Sequence, residues 1–160
     1  MRNLEMVANE CIVELNDCNI RINKVKEIKV NNRAKNRLGI CRRINGEYII
    51  EISDILLSNN VPLKSLKQTI LHELLHTCDG CMNHKEKWKR YANIVNKKYG
   101  YNISRVTNMR EIGIDIDNID LGYKYKATCK CCGQVIKRKR KSDFIKHPNF
   151  YTCGKCCTSD

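Results

Sequence analysis

Histidine is scarce in this chain, with four in 160 residues, and acid is short too, with 17 Asp and Glu against 30 Lys and Arg. Long apolar runs are missing. No stretch nears the roughly 20 apolar residues of a membrane-spanning helix, so no association with a membrane is expected. The opening Met1-Arg2-Asn3-Leu4-Glu5 lacks the apolar core of a signal peptide. No sustained heptad pattern suggests a coiled coil, and a monomer is the default. Eleven cysteines would suit a secreted disulfide scaffold, but the number is odd. A reducing cytoplasm, with thiols used as metal ligands or as small buried hydrophobes, fits better. The net charge of +13 favours an acidic partner, nucleic acid above all, although a Lys-rich surface also serves solubility. The length suits one modest domain plus a small appended module.

What is present is concentrated. Three of the four histidines fall within thirteen residues, as His72-Glu73-Leu74-Leu75-His76 and then His84. Residues four apart share one face of a helix, so His72 and His76 can grip one zinc ion together. Glu73, one step round, can reach a water on the metal without ligating it. His84 would make the site a three-histidine one with an open position, which is the pattern of a catalytic zinc. The bland alternative is a helix that happens to carry two surface histidines.

The chain around this cluster reads as α+β. Apolar residues at Leu4, Val7, Ala8, Cys11, Ile12 and Leu15 have helical spacing. From Lys24 the pattern alternates through Val25, Ile28 and Val30. Two further alternating runs, Leu38 to Ile44 and Glu47 to Ser53, flank Asn45-Gly46, a strong hairpin signal. The expectation is a three-stranded, mainly antiparallel sheet. Pro62 suits the start of the next helix, whose core-facing side holds Leu63, Leu66, Ile70, Leu71, Leu74, Leu75 and Cys78. Asp79-Gly80 is expected to stop it. Asn83 with Glu86 reads as a capping box that places His84 in the first turn of a further helix. That helix would bury Trp88, Tyr91, Ala92, Val95 and Tyr99 and end at Gly100. Glu111 to Asp120 is acidic and resembles a calcium loop only faintly, so it reads as an edge strand or connecting segment.

A second metal constellation lies near the end. Cys129-x-x-Cys132 and Cys153-x-x-Cys156 are separated by twenty residues, a strong zinc-ribbon signal. Cys131 and Cys157 adjoin these ligands, and the glycine after Cys132 favours that register. Four thiolates leave no open position, so this zinc would be structural, replacing a core that a module of about 40 residues cannot build. Residues 124–160 carry a formal +8. Much of it comes from Lys137, Arg138, Lys139, Arg140 and Lys141, with Tyr123, Tyr125, Phe144, Phe150 and Tyr151 nearby. Such interleaving suits contact with single-stranded or distorted nucleic acid; a solvated hairpin tip is the plainer reading. His147 reads as a loop residue. A second basic zone, Lys24 to Arg43, has eight Lys or Arg against Glu27 alone.

The segments Thr69 to His76 and Asn83 to Lys89 resemble the active-site region of SprT-like zinc metalloproteases. Leu38 to Arg43 with Tyr48 to Ser53 resembles the hairpin of that family, and Tyr125 to Cys156 its zinc-ribbon tail. The resemblance implies a zincin-like domain over 1–110, the acidic connection over 111–123 and the ribbon over 124–160. It also implies His72, His76 and His84 as ligands of a catalytic zinc, Glu73 as general base, and cleavage of DNA-associated proteins, as in Spartan relatives. Two departures stand out. Lys85-Glu86 follows the third histidine where many members have Gly-Pro, and Cys157 stands where glycine is usual. The rival reading is a nucleic-acid-binding regulator whose histidine site is not catalytic.

Overall fold

The structure, a computed structural model, describes residues 1–34, 37–106, 123–138 and 140–156. The chain divides into two compact units, Met1–Asn118 and Ile119–Asp160. The acidic stretch Glu111 to Asp120, Lys139 and Cys157 lie outside the described residues.

The first unit is α+β. Helix α1, Leu4–Asp17, starts where Asn3 Oδ1 accepts the Met6 N–H at 3.2 Å, and it buries Leu4, Val7, Ala8, Cys11 and Leu15. Strands β1 (Val25–Asn31), β2 (Gly39–Ile44) and β3 (Glu47–Ser53) form one sheet in the order β1-β3-β2. The β2–β3 hairpin turns through Asn45 and Gly46, both at positive φ (51° and 84°), as the twist-matched two-residue turn requires. Strand β1 departs from the sequence expectation: it runs parallel to β3, so the sheet is half parallel and half antiparallel. Burial accounts for this order. Strand β3 buries Tyr48, Ile50 and Ile52 at 5%, 0% and 0% exposure and takes the centre, while β1 and β2, with no fully buried residue, take the edges.

Helix α2, Leu63–Leu75, follows Pro62 and buries Leu66, Ile70, Leu71, Leu74 and Leu75 completely. It ends before Asp79-Gly80. The His76, Thr77 and Cys78 N–H groups bond to the carbonyls three residues back, and Thr77 Oγ1 donates to the Leu74 carbonyl at 2.7 Å. The last turn is therefore tightened, and the chain leaves the helix just past His76. Helix α3, Glu86–Tyr99, buries Trp88, Ala92 and Val95 and closes on Gly100 at φ 67°. The expected capping box does not form. Asn83 Oδ1 accepts from Lys85 N at 3.2 Å, a local turn, and Glu86 is the first helical residue instead of the third. His84 thus sits in the turn ahead of α3. Helix α1 is tied to α2 by Lys67, whose ammonium bonds Glu10 at 2.8 Å and Glu14 at 2.9 Å, while the Tyr101 hydroxyl donates to Glu14 at 3.1 Å.

The second unit is a small hairpin, β4 (Tyr125–Thr128) with β5 (Val135–Arg138), followed by one helical turn, α4 (Asp143–Lys146). None of its described residues is buried. A unit without a core needs another source of cohesion.

Candidate metal centres

The tightened end of α2 and the turn before α3 bring three imidazoles together. His72 Nε2 lies 3.3 Å from His76 Nε2 and 3.0 Å from His84 Nε2. The outer nitrogens explain why these atoms can meet. His72 Nδ1 bonds the Ser104 carbonyl at 3.0 Å, and His76 Nδ1 bonds the Cys81 carbonyl at 2.7 Å. A carbonyl only accepts, so both Nδ1 atoms carry the proton and both Nε2 atoms present lone pairs. Neither then has a hydrogen to offer the other, and facing lone pairs repel unless a cation stands between them. Burial, with the neighbouring imidazoles, lowers the His72 pKa to about 4; burial likewise lowers His76 and His84. All three are neutral imidazoles. Nitrogens held about 2.0–2.1 Å from one tetrahedral ion lie about 3.4 Å apart, close to the spacing seen, so the donor set fits zinc. The backbone carbonyls on Nδ1 are the outer partners that orient such ligands.

Trp88 forms one wall of the cluster. Its ring centroid is 4.8 Å from that of His72, 5.7 Å from His76 and 4.6 Å from His84, stacked on His76 and edge-on to the others. Sequence periodicity identified Trp88 as core, and it is 2% exposed. Its contact with the histidines had no signal in a linear pattern.

Glu73 is 6% exposed. Burial raises its pKa to about 7, against the lowering influence of the Cys41 backbone and the charge of Arg37. A carboxyl poised near neutrality beside a metal site can both take and return a proton. Tyr91 and Tyr99, expected on the buried stripe of α3, are only half-buried: Tyr99 donates to Asp17 at 2.5 Å, and Tyr91 lies beside Lys87 and Arg90.

In the second unit, Cys129, Cys132, Cys153 and Cys156 converge. Cys129 Sγ is 3.6 Å from Cys156 Sγ, Cys132 Sγ is 3.6 Å from Cys153 Sγ, and all four lie within 4.8 Å of one another. Cys131 is exposed. Thiolates about 2.3 Å from one zinc stand about 3.8 Å apart, so this set also fits the ion. The Cys156 and Lys155 N–H groups lower the Cys153 pKa, whereas partial burial and the three neighbouring thiols push Cys132 up to about 12, so without an ion the four sulfurs share protons among them. With no buried side chain among the described residues, the four sulfurs occupy the place of a core.

The basic residues divide into two groups. Lys137, Arg138, Arg140 and Lys141 are exposed along and after β5. Phe150 is 83% exposed with His147 stacked on it at 5.6 Å, and the Arg138 guanidinium lies over Phe144. The basic zone of the sheet is instead partly neutralised: Lys26 pairs with Glu47, Lys29 with Glu27 and Arg42 with Glu51. Strand pairing brought the acids of β3 beside the bases of β1 and β2.

No helix of the described residues is long and apolar enough to cross a membrane. The SprT-like family model matches residues 5–108, which span α1 through α3 and all three histidines. Among curated proteins none matches the chain.

Proposed function

The chain belongs to the SprT-like family, and from that premise we propose that it is a zinc-dependent metallopeptidase acting on proteins associated with DNA. The observation that carries this reading is Glu73, a buried carboxyl raised to about 7 and next in sequence to the first of three convergent imidazoles. A purely structural three-histidine site has no use for a carboxylate there.

His72, His76 and His84 would hold the zinc, and Cys129, Cys132, Cys153 and Cys156 a second, structural one. When bound, the first ion supplies Lewis acidity, polarising a carbonyl and lowering the pKa of a water towards about 7. Glu73 takes a proton from the attacking water at its carboxylate oxygen. Oxygen adds to the scissile carbonyl, the C–N bond breaks, and Glu73 passes the proton to the departing amine nitrogen. The products are a carboxylic acid and an amine, and the acid's proton then moves to the amine to leave a carboxylate and an ammonium. The Ser104 and Cys81 carbonyls keep two imidazoles in the tautomer that turns Nε2 inward.

The nucleic-acid half of the proposal rests on the ribbon. A formal +8 over residues 124–160, together with exposed Phe150 and its stacked His147, offers backbone charge and a ring face for an unpaired base. The test is to measure zinc per chain and then cleavage of a DNA-binding protein, with and without single-stranded DNA, by the parent and by Glu73→Gln. Two zincs, DNA-stimulated cleavage and an inactive but metal-loaded Glu73→Gln are expected. Full activity in that variant would sink the mechanism. Equal cleavage without DNA would remove the nucleic-acid role and leave the peptidase, whereas DNA binding without any cleavage would favour a regulator.

A further inference from the structure

Strand β2 is an edge strand, and its first residue, Gly39, lies against Glu73. The Ser53 N–H donates to the Leu38 carbonyl at 2.8 Å, so Leu38 and Ser53 form a hydrogen-bonded pair. The unbroken register Gly39↔Ile52, Ile40↔Glu51, Cys41↔Ile50 then alternates. Ile40 and Arg42 turn their backbone groups towards β3, while Gly39, Cys41 and Arg43 turn theirs to the open edge. The Cys41 N–H lies on that edge, and Cys41 is near enough to Glu73 for each to perturb the other electrostatically.

Gly39 stands against the same side chain. A Cβ at this position would lie 2.7 Å from Glu73 Oε1, 2.9 Å from Glu73 Cγ and 3.0 Å from Thr69 Cγ2. The first two distances are shorter than side chains tolerate, and the atoms met belong to a buried residue with little room to retreat. Gly39 is not among the glycines at positive φ. Space, not backbone conformation, calls for glycine here.

We propose that Gly39 is the positioning residue of Glu73. It lets the backbone of β2 approach the Glu73 side chain to contact distance, so that the strand walls in the carboxylate. The proposal rests on the reading of Glu73 as general base and says how that base is held. It also gives β2 two tasks. The strand whose free edge can pair with an extended peptide also positions the base, so substrate alignment and base orientation share one strand.

The test is a double-mutant cycle between Gly39→Ala and Glu73→Ala, read by thermal unfolding of the full chain and by metal content. Gly39→Ala alone should lower Tm while keeping the parent's zinc. In the Glu73→Ala background the same substitution should lose most of its effect, since only the milder Thr69 contact is left. Cleavage kinetics give the second readout. Gly39→Ala should lose about a hundred-fold in kcat with KM little changed, the order expected for a displaced catalytic group. An equal Tm loss in both backgrounds, or kcat within twofold of the parent, would overturn the proposal. Should Gly39→Ala fail to fold, a folded double variant supports the proposal and an unfolded one overturns it. An active Glu73→Gln with the thermal coupling intact would instead count against the peptidase mechanism alone.

Discussion

Trp88 is the one tryptophan of the chain, and its ring lies within 4.6–5.7 Å of all three imidazole centroids. Two outcomes follow at the scale of this residue. Its emission should change when zinc is stripped from the histidine site; a spectrum identical with and without the metal would place the ion elsewhere. Trp88→Ala should cost about 3–5 kcal/mol by denaturant titration, as large aromatic truncations in cores do. It should also weaken zinc retention, because the wall behind the imidazoles is gone. A loss under about 1 kcal/mol would show that the pocket collapses around the gap. The four histidines illustrate what a sequence can say about single residues. His72 and His76 were legible as a pair because spacing along a helix is a local property, His84 joins them from the turn ahead of α3, and the fourth, His147, lies on the ribbon stacked against Phe150. Gly39 was legible only as part of a hairpin. Its clearance for Glu73 depends on how closely a strand approaches a helix, which no spacing encodes.

At the scale of elements, α1 and α2 are locked by a cation between two carboxylates. Lys67 and Glu14 are 15% and 12% exposed in their side chains, so this pair is largely shielded from solvent. Lys67 loses some basicity to burial, but the Glu10 and Glu14 carboxylates more than restore it and raise its pKa. Lys67→Ala leaves Glu14 facing Tyr101 with no cation, and should cost about 2–3 kcal/mol of stability in urea titrations. An unchanged midpoint would show that the pair only offsets its own desolvation. The elements that the sequence misplaced share a cause. The capping box Asn83…Glu86 and the stop at Asp79-Gly80 are local signals, yet both helix ends are set by packing. The α2 end tightens where Thr77 turns its hydroxyl onto the Leu74 carbonyl and His76 is drawn to the Cys81 carbonyl. The start of α3 is delayed, and the turn ahead of it delivers His84 to His72. Parallel pairing of β1 with β3 was equally out of reach, since alternation gives the faces of a strand but not its neighbour.

At the scale of the whole molecule, two candidate metal sites of different character go with two modes of folding. The first unit has a core of fully buried side chains such as Leu66, Ile70, Leu71 and Trp88, so its fold does not hang on an ion. The second has no buried residue among those described, so an ion on its four sulfurs would supply its cohesion. Graded chelation should therefore strip zinc in two steps. The three-histidine site should empty first, with most of the folded signal kept. The four-thiolate site should hold on longer, since it has more ligands and softer ones, and its emptying should unfold the ribbon. Zinc per chain, measured alongside circular dichroism, reads both steps; a single step that takes both ions and all structure together would refute this division.

The sequence by itself determined the donor sets, the basic ribbon and the helix-and-hairpin order of the SprT-like domain. Those follow from local periods: residues four apart share a helix face, and paired C-x-x-C turns gather sulfurs. Only the tertiary structure decided what surrounds the donors. The Ser104 carbonyl reaches His72 across 32 residues, the strand at Gly39 and Cys41 closes on Glu73, and Trp88 lies against the imidazoles. Contacts of that kind are chosen by which faces bury best together, and burial is a property of the assembled chain rather than of any segment of it.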